Sequence, residues 1–290
     1  MRNLRLALVA ALGASLLSGL STTSALAASS SPSLATCKTT IGSQEYTKGK
    51  LTVATDSPAY TPWFVGNKPA NGKGFESAVT YAIANVLGVA KSNVVWVYEP
   101  FDSSYAPGPK KFDFDINEIS YTSERAQVVT FSESYYNVDQ SIVALKTNEI
   151  VTKHTPAELK SYLYGDQIGT TGLAYINDYI KPTRPARVYS TLDQAVTALQ
   201  VGQIDALVID TPTGQYMASA QITNSKNKLI ATQVGQFPST GEHYGLLFHK
   251  GNPLAACVNT AISTLTSNGT LAALDNQWLG IYTSVPVIEP

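Results

Sequence analysis

Apolar positions in this chain fall into short runs set off by turn residues, and the spacing inside the runs alternates between two kinds. Leu51–Thr55 (LTVAT) is a continuous β-prone run that stops at Asp56 and Pro58, whereas GFESAVTYAIANVLG (74–88) carries apolar residues at helical spacing and ends on Gly. VVWVY (94–98), FDFDINEIS (112–120) and SIVALK (141–146) predict further strands, each bounded by turn or helix signals. The second half repeats the grammar: DQIGTT reads as a strand, TLDQAVTALQVGQ as a helix with Gly near its end, and IDALVID (204–210) as a strand ending in a carboxylate. YGLLFHKGNP then predicts a strand and turn, and residues 254–280 a helical pattern broken at Asn268-Gly269. Strands alternating with helices predict α/β sheets covered by helices, and the repetition predicts two similar lobes.

Composition narrows the partners. Of 290 residues 44% are hydrophobic, enough to bury sizeable cores, and only 14% are charged, with a formal net charge of -1. Without a basic field, polynucleotide partners and anionic membrane surfaces are not expected.

The first residues address the chain for export. Arg2 and Arg5 precede the apolar LALVAALGASLLSGL, and Ala25-Leu26-Ala27 offers small residues for cleavage, so residues 1–27 read as a signal peptide. The uninterrupted apolar run falls short of the ~20 residues a membrane span needs, so no stable membrane insertion is expected. Cleavage removes two cations and no acid, moving the formal charge from -1 to -3. Residues 28–49 are Ser/Thr-rich and read as a leader with little structure. In an exported protein the pair Cys37 and Cys257 suggests one disulfide, with lipidation of Cys37 as the alternative.

Ligands in open α/β sheets sit beyond the carboxyl ends of strands. The predicted strand ends carry Asp56 and Tyr60, then Asn117, Glu118 and Ser120 with Arg125 close behind, then Asp210. Arg125 offers a planar fork for a carboxylate, and Asp210 can accept from an ammonium. Each also has a structural reading: Arg125 as a loop residue pairing with Glu124 or Glu133, Asp210 as a helix cap, Asp56 as the start of a turn before Pro58.

Taken in order, TDSPAYTPWF, GKGFESAVTYAIANVLG, ISYTSERAQVVTFSESYY, IDALVIDTP and HYGLLFHKGNP resemble the extracellular solute-binding proteins that serve polar amino-acid ABC transporters, over roughly Leu51 to Gly280. The resemblance implies a two-lobed periplasmic-binding-protein-like fold of type II, each lobe a mixed sheet flanked by helices, joined by two crossover hinge segments. Residues 50–142 with 243–290 would form the first lobe and 143–242 the second. It implies that Arg125 binds a ligand α-carboxylate, that Asp210 binds the α-ammonium with help from Ser120, and that Asp56, Tyr60 and Phe101 line the side-chain pocket. Thr171 and Gly172 lie in GTTGLAY (169–175), where the family places Gly followed by hydroxyl pairs to complete the carboxylate site. Glu118 stands where a small residue is usual. The implied function is capture of a small amino acid, polar or cationic, by a monomeric carrier that closes on it and delivers it to an ABC transporter permease; no cofactor is called for.

Rival classes are an enzyme resembling cyclic-acid dehydratases of the same fold, for which Glu118 near Asp210 could act as an acid, and a ligand-sensing binding protein. No G-x-S-x-G elbow is present, His154, His243 and His249 have neither nucleophile-base nor metal-ligand spacing, and GTTG lacks the Lys of a phosphate loop.

Overall fold

The computed structural model describes residues 31–280 and 285–289; the signal peptide read over 1–27 lies outside them. The stretch expected as an unstructured leader is helical over Leu34–Gln44 (α1), capped by the Ser33 hydroxyl, which accepts from the Thr36 N–H. Its Thr-rich sequence is a poor helix former, and the helix is held from outside: only Cys37 and Ile41 are buried, and Cys37 is disulfide-bonded to Cys257 with Cα atoms 5.4 Å apart.

β1 (Leu51–Thr55) follows and is buried along its whole length. α2 (Phe75–Leu87) presents Phe75, Val79, Ile83 and Leu87 on one face, and Gly88 ends it in the left-handed conformation, its N–H returning to Ala84 O. Gly74 precedes α2 at φ 99°, where a Cβ would sit 2.3 Å from the Trp63 carbonyl, so only glycine permits the loop and helix to approach so closely. β2 (Val94–Tyr98), α3 (Phe101–Ser104), β3 (Phe114–Asp115), α4 (Ser123–Val128) and β4 (Val129–Asn137) complete the first run. β5 (Gln140–Leu145), α5 (Pro156–Leu159), β6 (Gly165–Gln167), α6 (Thr171–Tyr175), β7 (Arg187–Tyr189), α7 (Leu192–Gln200), β8 (Ala206–Asp210), α8 (Thr211–Tyr216) and β9 (Ala231–Gln236) form the second. β10 (His243–His249), α9 (Leu254–Ser267) and α10 (Thr270–Trp278) then return to the first.

The first sheet has the order β2-β1-β3-β10-β4, parallel through β2, β1 and β3 and antiparallel where β10 joins β3 and β4. The second is antiparallel β8-β5-β9, extended by the parallel pair β6-β7 through a single Tyr164–Ala206 bridge. Each sheet has its own apolar core. One gathers Leu51, Val53, Trp63, Phe75, Ile83, Tyr244 and Val258 among others; the second sheet is packed on one face by Ile142, Tyr164, Val208 and Phe237 and on the other by Val143, Leu199 and Leu207. The chain crosses between the sheets at 138–139 and again at 237–242.

The last residues depart from the assignment of 243–290 to the first lobe. Gln236 N–H donates to Pro286 O at 2.8 Å, Ile288 N–H donates to Gln236 O at 2.7 Å, and Ile288 is fully buried in the second core. A β-bridge from Val287 to Gln236 extends the second sheet, and the space beside Gly235 receives Ile288. Burying an Ile side chain contributes about 1.5 to 3 kcal/mol, which explains why this end of the chain docks there.

Candidate functional site

Arg125 lies in the first turn of α4, so its alternative reading as a loop residue does not hold. The Thr122 hydroxyl caps that turn by accepting from Arg125 N–H at 3.1 Å, so the cap fixes where the arginine starts. Its side chain is buried, with neither Glu124 nor Glu133 as partner. Nη1 donates to Ser120 O and Nη2 to Gly169 O, both at 2.7 Å, and the guanidinium lies 5.4 Å from the Phe101 ring centroid and 4.7 Å from that of Tyr105. Ser120 belongs with the first sheet and Gly169 follows β6, so the cation bridges the two lobes.

Four carboxyls share its cavity, which measures ≈ 70 Å³. Asp56, beyond β1, accepts from Ser57 N–H at 2.6 Å, the local turn contact anticipated for it, yet it also lines the cavity, and burial raises its pKa. Asp210 occupies a helix-cap position without making a cap bond; it accepts from Gln140 Nε2 instead. Burial first, and the Glu242 carboxyl next, push Asp210 up to about 7. Glu118 has φ 54°, a left-handed backbone that is uncommon for a residue with a side chain, held by its N–H donating to Glu76 Oε1 at 2.7 Å. Burial and the nearby Glu76 drive its carboxyl well above the ordinary range. Asp166 is buried on β6; one oxygen accepts from Gln167 N–H at 2.7 Å and the other has no hydrogen-bond partner. Among the described residues the one ion pair of Lys or Arg with Asp or Glu is Arg184–Asp205, at 3.4 Å, so none of these four carboxyls forms an ion pair with a described lysine or arginine.

Asp56, Tyr60, Phe101, Asn117 and Glu118 thus meet Arg125, Thr171, Gly172 and Asp210 around one cavity. Ser120 does not line it: its hydroxyl donates to Glu242 at 2.5 Å, and it serves the site through the carbonyl that holds Arg125. Thr170 and Thr171 both face the cavity, so the register of GTTGLAY places a hydroxyl pair at the start of α6; Thr170 caps the helix by accepting from Leu173 N–H at 3.1 Å. Gln140, Asp166 and Gln167 also line it and were not anticipated. An acid inside the short pattern DQIGTT was the available signal for Asp166. Gln140 has no local signal, because its place comes from β5 running beside β8.

A model of the bacterial extracellular solute-binding proteins, family 3, matches residues 51–281. The chain belongs to that family. It is 26% identical over 234 residues to the L-cystine-binding protein TcyJ of Escherichia coli (strain K12), covering 80% of this chain and 84% of that one. An ancestral arginine-binding protein bound to glutamine superposes with a TM-score of 0.68 at 27% identity, over 81% of this chain and 99% of the other. The ancestral amino-acid-binding protein AncCDT-1, a precursor of cyclohexadienyl dehydratase, gives a TM-score of 0.64 at 28% identity, over 80% and 95%. The fold is accordingly the two-lobed α/β fold of amino-acid-binding proteins, and the family is one of solute binding. Among the described residues no helix is long and apolar enough to cross a membrane.

Proposed function

We propose that this chain is an exported, monomeric carrier that captures a cationic amino acid between its lobes by hinge closure and delivers it to an ABC transporter permease. The observation that carries the reading is the charge of the cavity: among the described residues Asp56, Glu118, Asp166 and Asp210 line it with Arg125 as the one lining cation, and no ion pair of these residues offsets the acids. An α-carboxylate would meet Arg125 and the N-terminus of the helical segment begun by α6, an α-ammonium would meet Asp210, and a second cation would meet Asp56 and Glu118. Tyr60 and Phe101 supply apolar and cation-π contact to the side chain.

Desolvation makes such a site selective. A ligand lacking one charged group leaves a buried partner uncompensated at about 3 to 5 kcal/mol, or roughly two to four decades of affinity. A dehydratase is the second reading, favoured by Glu118, an acid inside the cavity whose carboxyl burial pushes well above the ordinary range; formation of an aromatic product from prephenate would establish it.

The test is a thermal-shift screen of the refolded, ligand-stripped protein against the twenty amino acids and small diamines. A ligand at a hundredfold excess over its Kd adds about 2.7 kcal/mol. The largest shift is expected from arginine, lysine or histidine; a largest shift from aspartate or glutamate would overturn the assignment.

A further inference from the structure

Three side chains far apart in sequence form a hydrogen-bond chain that crosses from one lobe to the other. Trp63 is fully buried in the first core, its indole wedged edge-on against Phe75, Tyr136 and Tyr244 with ring centroids 5.9, 5.4 and 5.5 Å away. Its Nε1–H donates to the Thr213 hydroxyl at 2.7 Å. That hydroxyl donates in turn to Glu118 Oε2, also at 2.7 Å. Thr213 is buried in the first turn of α8, three residues past Asp210, and belongs to the second lobe; Trp63 and Glu118 belong to the first. The hydroxyl therefore fills a gap between an obligatory donor and an acceptor, which only a side chain that both accepts and donates can do.

We propose that Trp63, Thr213 and Glu118 form a closure latch that also reads the ligand side chain. This rests on the binding function proposed above. The same Glu118 carboxyl that receives the latch hydrogen bond lines the ligand cavity. Its left-handed backbone, which a glycine or asparagine adopts more readily, is kept with a long acidic side chain that reaches Thr213. When the lobes part, all three polar groups pass to water and regain their hydrogen bonds there, so losing the Thr213 hydroxyl penalises the closed form alone. A ligand cation beside Glu118 offsets the burial of its charge, whereas a neutral side chain leaves that cost unmet. Glu118 thereby ties closure to the identity of the ligand, and separate variants divide the two roles.

The protein has three tryptophans, Trp63, Trp96 and Trp278, so indole hydrogen exchange followed by NMR reports the latch directly, with the other two as controls for the fold. In Thr213→Val the Trp63 indole proton is expected to exchange about tenfold faster or more, with Trp96 and Trp278 unchanged, and Thr213→Ser, which keeps the hydroxyl, is expected to restore slow exchange. Bound L-arginine should dissociate about tenfold faster from Thr213→Val, with its preference over L-glutamine retained. Glu118→Gln keeps an oxygen that accepts from Thr213, so its Trp63 exchange stays slow while its preference for L-arginine over L-glutamine falls by tenfold or more. Unchanged Trp63 exchange in Thr213→Val overturns the latch, and retained discrimination in Glu118→Gln overturns its reading of the side chain. Exchange is compared with and without saturating L-arginine, because the latch belongs to the closed form: a parent that binds no amino acid overturns the binding function, whereas a parent that binds L-arginine yet shows the same Trp63 exchange as Thr213→Val overturns the latch.

Discussion

Arg125 Nη2 and the carbonyl of Gly169 are joined across the two lobes at 2.7 Å. Gly169 can offer that carbonyl because it adopts φ 75°, and because a Cβ there would lie 2.0 Å from the Tyr105 hydroxyl, whose ring flanks the same guanidinium. One glycine thus sets both the acceptor and a wall of the arginine's pocket. Gly169→Ala should force Tyr105 aside and strain the backbone by about 1 kcal/mol or more. Ligand affinity should fall at least tenfold by calorimetry, with a small loss in melting temperature. An unchanged Kd would mean that this carbonyl has no part in aiming Arg125.

Arg125 itself is held by two carbonyls and flanked by two rings of the chain. A lysine keeps the charge but has no planar fork with which to hold Ser120 O, Gly169 O and a carboxylate together. Arg125→Lys is therefore expected to weaken binding about a hundredfold and Arg125→Ala to abolish it, with the circular dichroism of the parent retained in both. Parent-like affinity in Arg125→Ala would remove the arginine from the site.

The buried acids make the ligand-free protein sensitive to pH in an unusual direction. Burial holds Asp113 near 6, Asp210 near 7 and Glu76 near 8, all above their ordinary values. Between about pH 4 and 8 the folded state therefore holds more protons than the unfolded chain, so the stability these groups confer is complete below pH 4 and lost as pH rises through 6 to 8. The ligand-free melting temperature should fall by several degrees from pH 5 to pH 8. Binding of a cationic ligand runs the other way, since Asp210 must ionise to receive it, and affinity should rise through pH 7. Calorimetry in two buffers of different ionisation heat would detect the released protons; a ligand-free protein that becomes more stable from pH 5 to 8 would contradict the assignment.

How much of this was legible depends on where each residue's surroundings come from. β1, β2, β8 and α2 are announced by their own residues, since period and punctuation are local properties. Asp56, Arg125 and Asp210 could be picked out because strand ends are legible once the strands are. β4 was not: VTFSESYYN mixes Ser and Glu with aromatics, and its pairing with β10 shifts register twice, so no clean alternation survives. α1 was missed because a disulfide and packing on α9 and α2 stabilise a sequence of low helical propensity. Asp166, Gln140 and Glu242 come to the site only through pairing between distant strands and through the crossovers. The partnership of Trp63 with Thr213 spans 150 residues and leaves no trace in either neighbourhood.

The Cys37–Cys257 bond offers a separate check, because it concerns stability and leaves the ligand site aside. It closes a separation of 220 residues and pins α1 to α9, while neither cysteine lines the ligand cavity. A cross-link over so long a loop stabilises chiefly by restricting the unfolded chain, and its loss costs about 3 to 5 kcal/mol. At two to four degrees per kcal/mol for a domain of this size, Cys37→Ser with Cys257→Ser should lower the melting temperature by about 10 °C. Reduction of the parent should reproduce the shift. Ligand affinity measured well below the lowered melting temperature should stay within about twofold, since the cavity walls are set by the two sheets and their crossovers. A large loss of affinity at full folding would show that α1 is coupled to the cavity through α9 and is more than a staple on the first lobe.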